Sequence, residues 1–200
     1  PVVAVPRDPG GTRGMIRRPP RVAPDMQIDI WSDIACPWCY IGKRRLETAL
    51  TDHPQRDDIQ VTWHSYQLDP SLPEHYEGTE ADYLASRKGM PVEQVREMFG
   101  HVAEQAAGEG LAYDFDRLVV ANSARAHELL HLAKERGLGD EVKEALLSGH
   151  FEHGLDIGDV DALVRVGVAA GLDEGEVRAS LADGRYEAAV AADIDLARQI

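Results

Sequence analysis

Two hundred residues with 44% apolar side chains suit one domain, or one domain carrying an inserted lobe, with a sizeable core. Thirty-five acids against 21 bases give a formal charge of −14, which leaves no basic stripe for a nucleic-acid partner. No apolar stretch approaches the about eighteen residues of a membrane-spanning helix.

Residues 1–25 are rich in Pro, Arg and Gly without periodicity and read as a disordered extension. The basic cluster of the chain, Arg13 to Arg21, lies here, and no apolar run follows it, so it is not a secretory signal. Arg17-Arg18 lacks the hydrophobic segment of a twin-arginine signal, and the expected compartment is the cytoplasm. Met26 stands directly before the first strand and could be the natural start.

Met26 to Ser32 reads as that first strand. A helix follows from about Pro37 to Thr51, with Cys39, Gly42, Leu46, Ala49 and Leu50 on one face as the expected buried stripe. Ile59 to Trp63 alternates and reads as a second strand. Two strands joined through a helix make a right-handed βαβ unit, hence a parallel pair. From about Thr79 helix follows helix: Pro91 to Ala107, Asn122 as N-cap of a helix to about Arg136, Glu141 to His153, Asp159 capping Val160 to Ala170, a short helix after Asp173, and Tyr186 to Ile200. The order is strand, helix, strand, and about six helices. A two-stranded sheet is marginal alone, so a helical lobe inserted in a thioredoxin-like sheet explains the order if more strands follow.

The only two cysteines form Cys36-Pro37-Trp38-Cys39, where the first strand hands over to a helix. Cys36 falls at the N-cap and Pro37 at the first helical position, where its missing N–H costs nothing. The Cys36 sulfur then faces the unpaired N–H groups and the positive end of the helix dipole. C-x-x-C thiols placed this way drop from about 8.5 to roughly 3.5–7.5. Trp38 adds apolar bulk but no positive charge, and Asp33 would oppose the thiolate if it points that way. Helix geometry places Cys36 at the exposed tip and Cys39 inward. In a reducing compartment the pair indicates redox or metal chemistry, but no second Cys pair completes four zinc ligands.

A competing pattern, His127-Glu128-Leu129-Leu130-His131, matches H-E-x-x-H on a predicted helix. Both histidines would share a face, with Glu128 as general base of a zinc hydrolase and Glu152, His153 or Asp156 as third ligand. Five residues with three fixed positions arise easily by chance, and Ala126, Leu129, Leu130 and Ala133 make an ordinary core stripe beside them. His150 and His153 read as surface or satisfied core histidines. The acidic face from Glu74 to Glu80 reads as solvated surface.

Ser32-Asp33-Ile34-Ala35-Cys36-Pro37-Trp38-Cys39-Tyr40-Ile41-Gly42 resembles the active-site segment of DsbA-like thiol–disulfide oxidoreductases. The match is closest to their FrnE-type branch, cytoplasmic proteins often associated with polyketide biosynthesis. Trp63 to Pro70, Asn122-Ser123 with Ala126-His127, and Asp156 to Asp159 resemble further segments of that branch. The resemblance implies an α/β, thioredoxin-like βαβ core over 26–76, a large all-α insertion over 77–190, and a return to the core from 191. It implies Cys36 as nucleophile, Cys39 as resolving thiol, a protein or small-molecule thiol or disulfide as substrate, and no cofactor. In the family a Gly-Val-Pro segment with a cis-proline follows a helix like Asp193 to Ile200, then two strands and a helix. Here the last proline is Pro91, so the chain is expected to be truncated at its C-terminal end, or even a catalytically inert remnant. An unfinished sheet edge would invite a homodimer. Glutathione-dependent isomerases on the same fold carry Ser where Cys36 stands, so the cysteine argues against that activity.

Overall fold

The computed structural model describes residues 26–74 and 76–200; the expected extension over 1–25 lies outside the described residues. Strand β1 (Met26–Ser32) leads through helix α1 (Pro37–Thr51) and a short 3-10 turn into strand β2 (Ile59–Ser65). The two strands pair in parallel, Ile28 opposite Val61 and Ile30 opposite Trp63, as a helical crossover requires. They are the only sheet among the described residues.

Seven helices follow β2 rather than about six: α2 (Glu80–Lys88), α3 (Val92–Gly108), α4 (Ala124–Glu135), α5 (Gly139–His153), α6 (Val160–Ala169), α7 (Glu174–Ala182) and α8 (Glu187–Ala197). The additional one is α2. It buries only Ala81 and Ala85, too little for a visible stripe, and is fixed by a capping box. In that box Thr79 Oγ1 accepts from the Asp82 N–H and Asp82 Oδ2 accepts from the Thr79 N–H, both at 3.1 Å. Helices α6 and α7 start as expected: Asp159 Oδ1 accepts from Ala162 N–H at 2.6 Å and Asp173 Oδ1 from Glu176 N–H at 2.9 Å. Helix α5 ends at Gly154 with φ +69°, where an added Cβ would stand 2.6 Å from the Arg117 carbonyl oxygen.

Two expectations need correction. The buried face of α1 carries Tyr40, Ile41 and Lys43, while Gly42 and Ala49 are exposed and Leu46 and Leu50 half-buried. The apolar stripe failed because α1 meets its neighbours with amphipathic side chains, whose stems are buried and whose polar tips are paired. Tyr40 Oη donates to Glu144 Oε1 at 2.6 Å, and Lys43 Nζ to Glu144 Oε2 at 2.7 Å. Nor is Asn122 the N-cap of α4; Ser123 is. Asn122 still serves the helix start, its Oδ1 accepting from the Ala124 N–H at 2.9 Å, and it ties α4 to the loop after β2, with Oδ1 also accepting from Gln67 Nε2 at 2.7 Å and Nδ2 donating to the Leu72 carbonyl at 2.6 Å.

The largest core lies within the helical region, where Leu129, Leu132, Leu146, Leu163 and Val177 pack together with Ile34 from the turn after β1. A second core joins Tyr40 and Ile41 of α1 to Val102, Ala106, Leu147 and Phe151. The sheet is held to α8 by polar contacts. Asp193 accepts from the Ser65 N–H at 2.8 Å and meets His64 Nδ1 at 2.9 Å and His131 Nε2 at 3.2 Å. Its carbonyl accepts from Trp31 Nε1 at 2.8 Å, and Trp31 stacks on His64 with centroids 4.5 Å apart.

Candidate active site

Strand β1 ends in a turn that Asp33 organises. This carboxylate is buried, accepts from the Ala35 N–H at 3.1 Å and the Leu68 N–H at 2.7 Å, and faces His127 Nε2 at 3.4 Å. Cys36 follows as the N-cap of α1 in extended conformation, with Pro37 at the first helical position. The Cys39 N–H donates to the Cys36 carbonyl at 3.0 Å, and Tyr113 Oη donates to the Pro37 carbonyl at 2.7 Å. The motif is thereby braced by the turn before it and by a residue 76 positions downstream.

Both cysteines are free thiols. The expected contrast of an exposed Cys36 and a buried Cys39 is not what the structure has, because both are half-buried. Trp38, at 51% exposure, is the exposed residue of the motif. The two thiols differ instead in what they face: Cys36 lines a cavity of about 410 Å³, and Cys39 does not. They differ also in acidity. The hydrogen bond from Cys39 is the largest influence on Cys36, and with the Cys39 and Trp38 N–H groups it outweighs burial and the Asp33 charge, bringing Cys36 down to about 7. The same hydrogen bond, with burial, drives Cys39 far above the ordinary thiol range. One thiol is thus prepared as the anion and its neighbour as the proton-bearing donor.

Lys143 is the charged group that sequence reasoning missed. It is 1% exposed, donates from Nζ to Ser32 Oγ at 2.6 Å, and stands over the Trp63 ring at 4.6 Å. Burial pushes its ammonium down to about 8, while the Cys39 charge opposes that shift. A signal was present: Lys143 shares a helical face with Leu146, Leu147 and His150, all buried, where a lysine is out of place. Glu144 and Tyr113, which anchor α1, carried no comparable mark.

The H-E-x-x-H segment lies on α4, but its histidines go to separate partners. His127 faces Asp33, and His131 Nε2 meets Ser65 Oγ and Asp193, both at 3.2 Å. Glu152 accepts from the Ala112 N–H at 2.7 Å, His153 Nδ1 lies 3.2 Å from the Ser148 carbonyl, and Asp156 accepts from the Gly158 N–H at 2.8 Å. Among the described residues no group of three or more His, Cys, Asp or Glu side chains stands where it could hold a metal ion. His150 is a core histidine, held near 4 by burial, with Nδ1 at 3.3 Å from the Leu155 carbonyl. No helix among the described residues is long and apolar enough to cross a membrane.

The DSBA-like thioredoxin domain family matches residues 27–200. The crystal structure of a probable DsbA oxidoreductase from Streptomyces coelicolor is similar at a TM-score of 0.82 and 41% identity, over 86% of this chain and 75% of that one. The uncharacterised YwbO protein of Bacillus subtilis is 25% identical over 166 residues, 81% of this chain and 74% of its own. A candidate protein disulfide isomerase from Nitrosomonas europaea shares the fold at a TM-score of 0.63 and 11% identity, over 86% and 78% of the two chains.

Proposed function

This chain belongs to the DSBA-like thioredoxin domain family, and from that premise we propose that it is a thiol–disulfide oxidoreductase in which Cys36 attacks and Cys39 resolves. The observation that carries the assignment of roles is the asymmetry of the pair: Cys36 is acidified to about 7 and opens on the cavity, whereas Cys39 keeps its proton and does not. The Cys36 thiolate attacks one sulfur of a substrate disulfide, forming a mixed disulfide and releasing the other half as thiolate. Cys39 then loses its proton and attacks the Cys36 sulfur of that bond. The second substrate thiolate leaves, and a Cys36–Cys39 disulfide remains. The protein has given up two electrons and the substrate has gained two. In the reverse direction the same steps oxidise a dithiol.

The resemblance to the FrnE-type branch supports a cytoplasmic setting, and its link to polyketide assembly belongs to the same reading. The test is insulin reduction by the pre-reduced protein with a thiol reductant as recycling agent. Cys36→Ser is expected to reduce the rate to the reductant-only background. Activity persisting in Cys36→Ser above that background overturns the assignment.

A further inference from the structure

Cys36 opens on a cavity whose walls are not those of a general thiol site. Phe99 and Phe115 stack face to face at 4.3 Å with ring planes 5° apart, and the pair contributes aromatic surface to the lining. Leu84 of α2 and Met98 and Val102 of α3 add apolar surface to it. The volume, about 410 Å³, lies in the range of small-ligand pockets, which run from about 300 to 1,000 Å³.

The polar lining carries three carboxylates, Asp33, Asp69 and Glu80, and two cations, Arg87 and Lys88. Asp33 is satisfied by the Ala35 and Leu68 N–H groups. Asp69 accepts from Tyr83 Oη at 2.6 Å and pairs with Arg87 Nε at 3.1 Å. Glu80 has no hydrogen-bond or ion-pair partner among the described residues, although it lines the same cavity. Burial alone raises it to about 7. Glu80 is half-buried at the first position of α2, and a ligand that brings a cation would gain a charge-assisted hydrogen bond there.

Resting on the thiol–disulfide reading above, we propose that this cavity is a specificity pocket for a low-molecular-weight disulfide whose sulfur carries an apolar, ring-sized body ending in a primary amine. The body packs on the Phe99–Phe115 pair while the ammonium meets Glu80. The Cys36 thiolate forms a disulfide with one half of the substrate and releases the other half as an aryl thiolate. The Cys39 thiolate, its proton lost to solvent, then releases the first half, so one disulfide becomes two thiols and the protein becomes the Cys36–Cys39 disulfide.

The experiment is a single-turnover reaction of the pre-reduced full chain at pH 8 with three probes. They are bis(4-aminomethylphenyl) disulfide, bis(4-carboxyphenyl) disulfide and bis(2-hydroxyethyl) disulfide. Each rate is divided by that of 2-mercaptoethanol with the same probe, which removes the probe's intrinsic reactivity. The normalised rate of the aminomethyl probe is expected to exceed that of the carboxyl probe by at least about tenfold. Glu80→Gln should reduce this ratio at least about fivefold while changing the overall charge by one unit, which separates Glu80 from the general pull of a chain at −14. Leu84→Trp, which fills the cavity, should lower the aryl rates relative to the hydroxyethyl probe by about fivefold or more. A ratio within about twofold of unity, or one unchanged in Glu80→Gln, overturns the pocket while leaving thiol exchange standing. If the hydroxyethyl probe also fails to form a mixed disulfide at Cys36 by intact mass, the thiol–disulfide reading itself falls.

Discussion

Replacing Cys39 by alanine should remove much of the acidity of Cys36. With a midpoint near 7, about half of Cys36 is ionised at neutral pH, against about 1% for a thiol at 9.0. The largest influence lowering it is the hydrogen bond that Cys39 donates, ahead of the two backbone N–H groups. A hydrogen bond to a charged acceptor contributes about 1.5–3 kcal/mol, and one pKa unit is about 1.4 kcal/mol. A thiol is a weak donor, so the lower end applies, and Cys39→Ala should raise the midpoint by about one unit. Cys39→Ser keeps a donor in place and should stay within about half a unit of the wild type. The assay is the rate of iodoacetamide alkylation at Cys36 from pH 5 to 10, followed by intact mass, in variants where Cys36 is the sole thiol. At pH 7 the alanine variant should alkylate about fivefold more slowly than the serine variant. Equal midpoints near 7 in both would refute the reasoning. Acidity would then come from the helix N-terminus alone.

Lys143 is held down at about 8 by burial, against about 10.4 in an unfolded chain, so the unfolded state binds the extra proton between those values. Stability should therefore rise with pH across that window, by up to about 3 kcal/mol, and Lys143→Met should flatten the rise. Urea unfolding in a Cys36→Ser, Cys39→Ser background measures this without thiol titration. Asp193→Ala should cost about 2–3 kcal/mol, since it strands the buried Ser65 N–H and removes a partner of His64. Burial lowers and the Asp29 and Asp193 carboxylates raise His64, with the net shift upward, while Asp193 is lowered. The His64 contribution is complete below about 6.5 and fades as pH rises through its raised value. The Asp193 contribution fades on acidification below about 3.8. The difference from wild type in urea unfolding should accordingly be larger at pH 5 than at pH 8. Ile34→Ala empties a fully buried position and should cost about 3 kcal/mol by the same measurement.

What the sequence revealed was local. Cys36 at an N-cap, Pro37 at the first helical position, and the alternation through Ile59 to Trp63 depend on neighbours a few residues away. They could be read before any fold was known. The helical insertion was legible because Asp159 and Asp173 mark helix starts by side-chain chemistry. What escaped was set by packing across long separations. Lys143 reaches Ser32 over 111 positions, and Tyr40 reaches Glu144 over 104, so no window of sequence contains both partners. The misjudged face of α1 has the same origin. Apolar periodicity cannot register that Lys43 is buried when its ion-pair partner lies on α5. Asn122 lies one position before the N-cap, where its Oδ1 meets the Ala124 N–H, and its ties to Gln67 and Leu72 in the loop after β2 are again long-range contacts.

Ile34 enters one core two positions before Cys36, and Tyr40 and Ile41 enter the other directly after Cys39. The thiols sit on a short span whose two ends are each sunk in the helical lobe. A loop anchored in this way has no cheap opening of its own, because freeing it means extracting three fully buried side chains from two separate cores. The amide protons of Tyr40 and Ile41, just inside α1, should therefore exchange with solvent only through near-global opening. With both ends of the span anchored, a substrate disulfide would have to come to the sulfur, because the sulfur has little freedom to swing out to meet it.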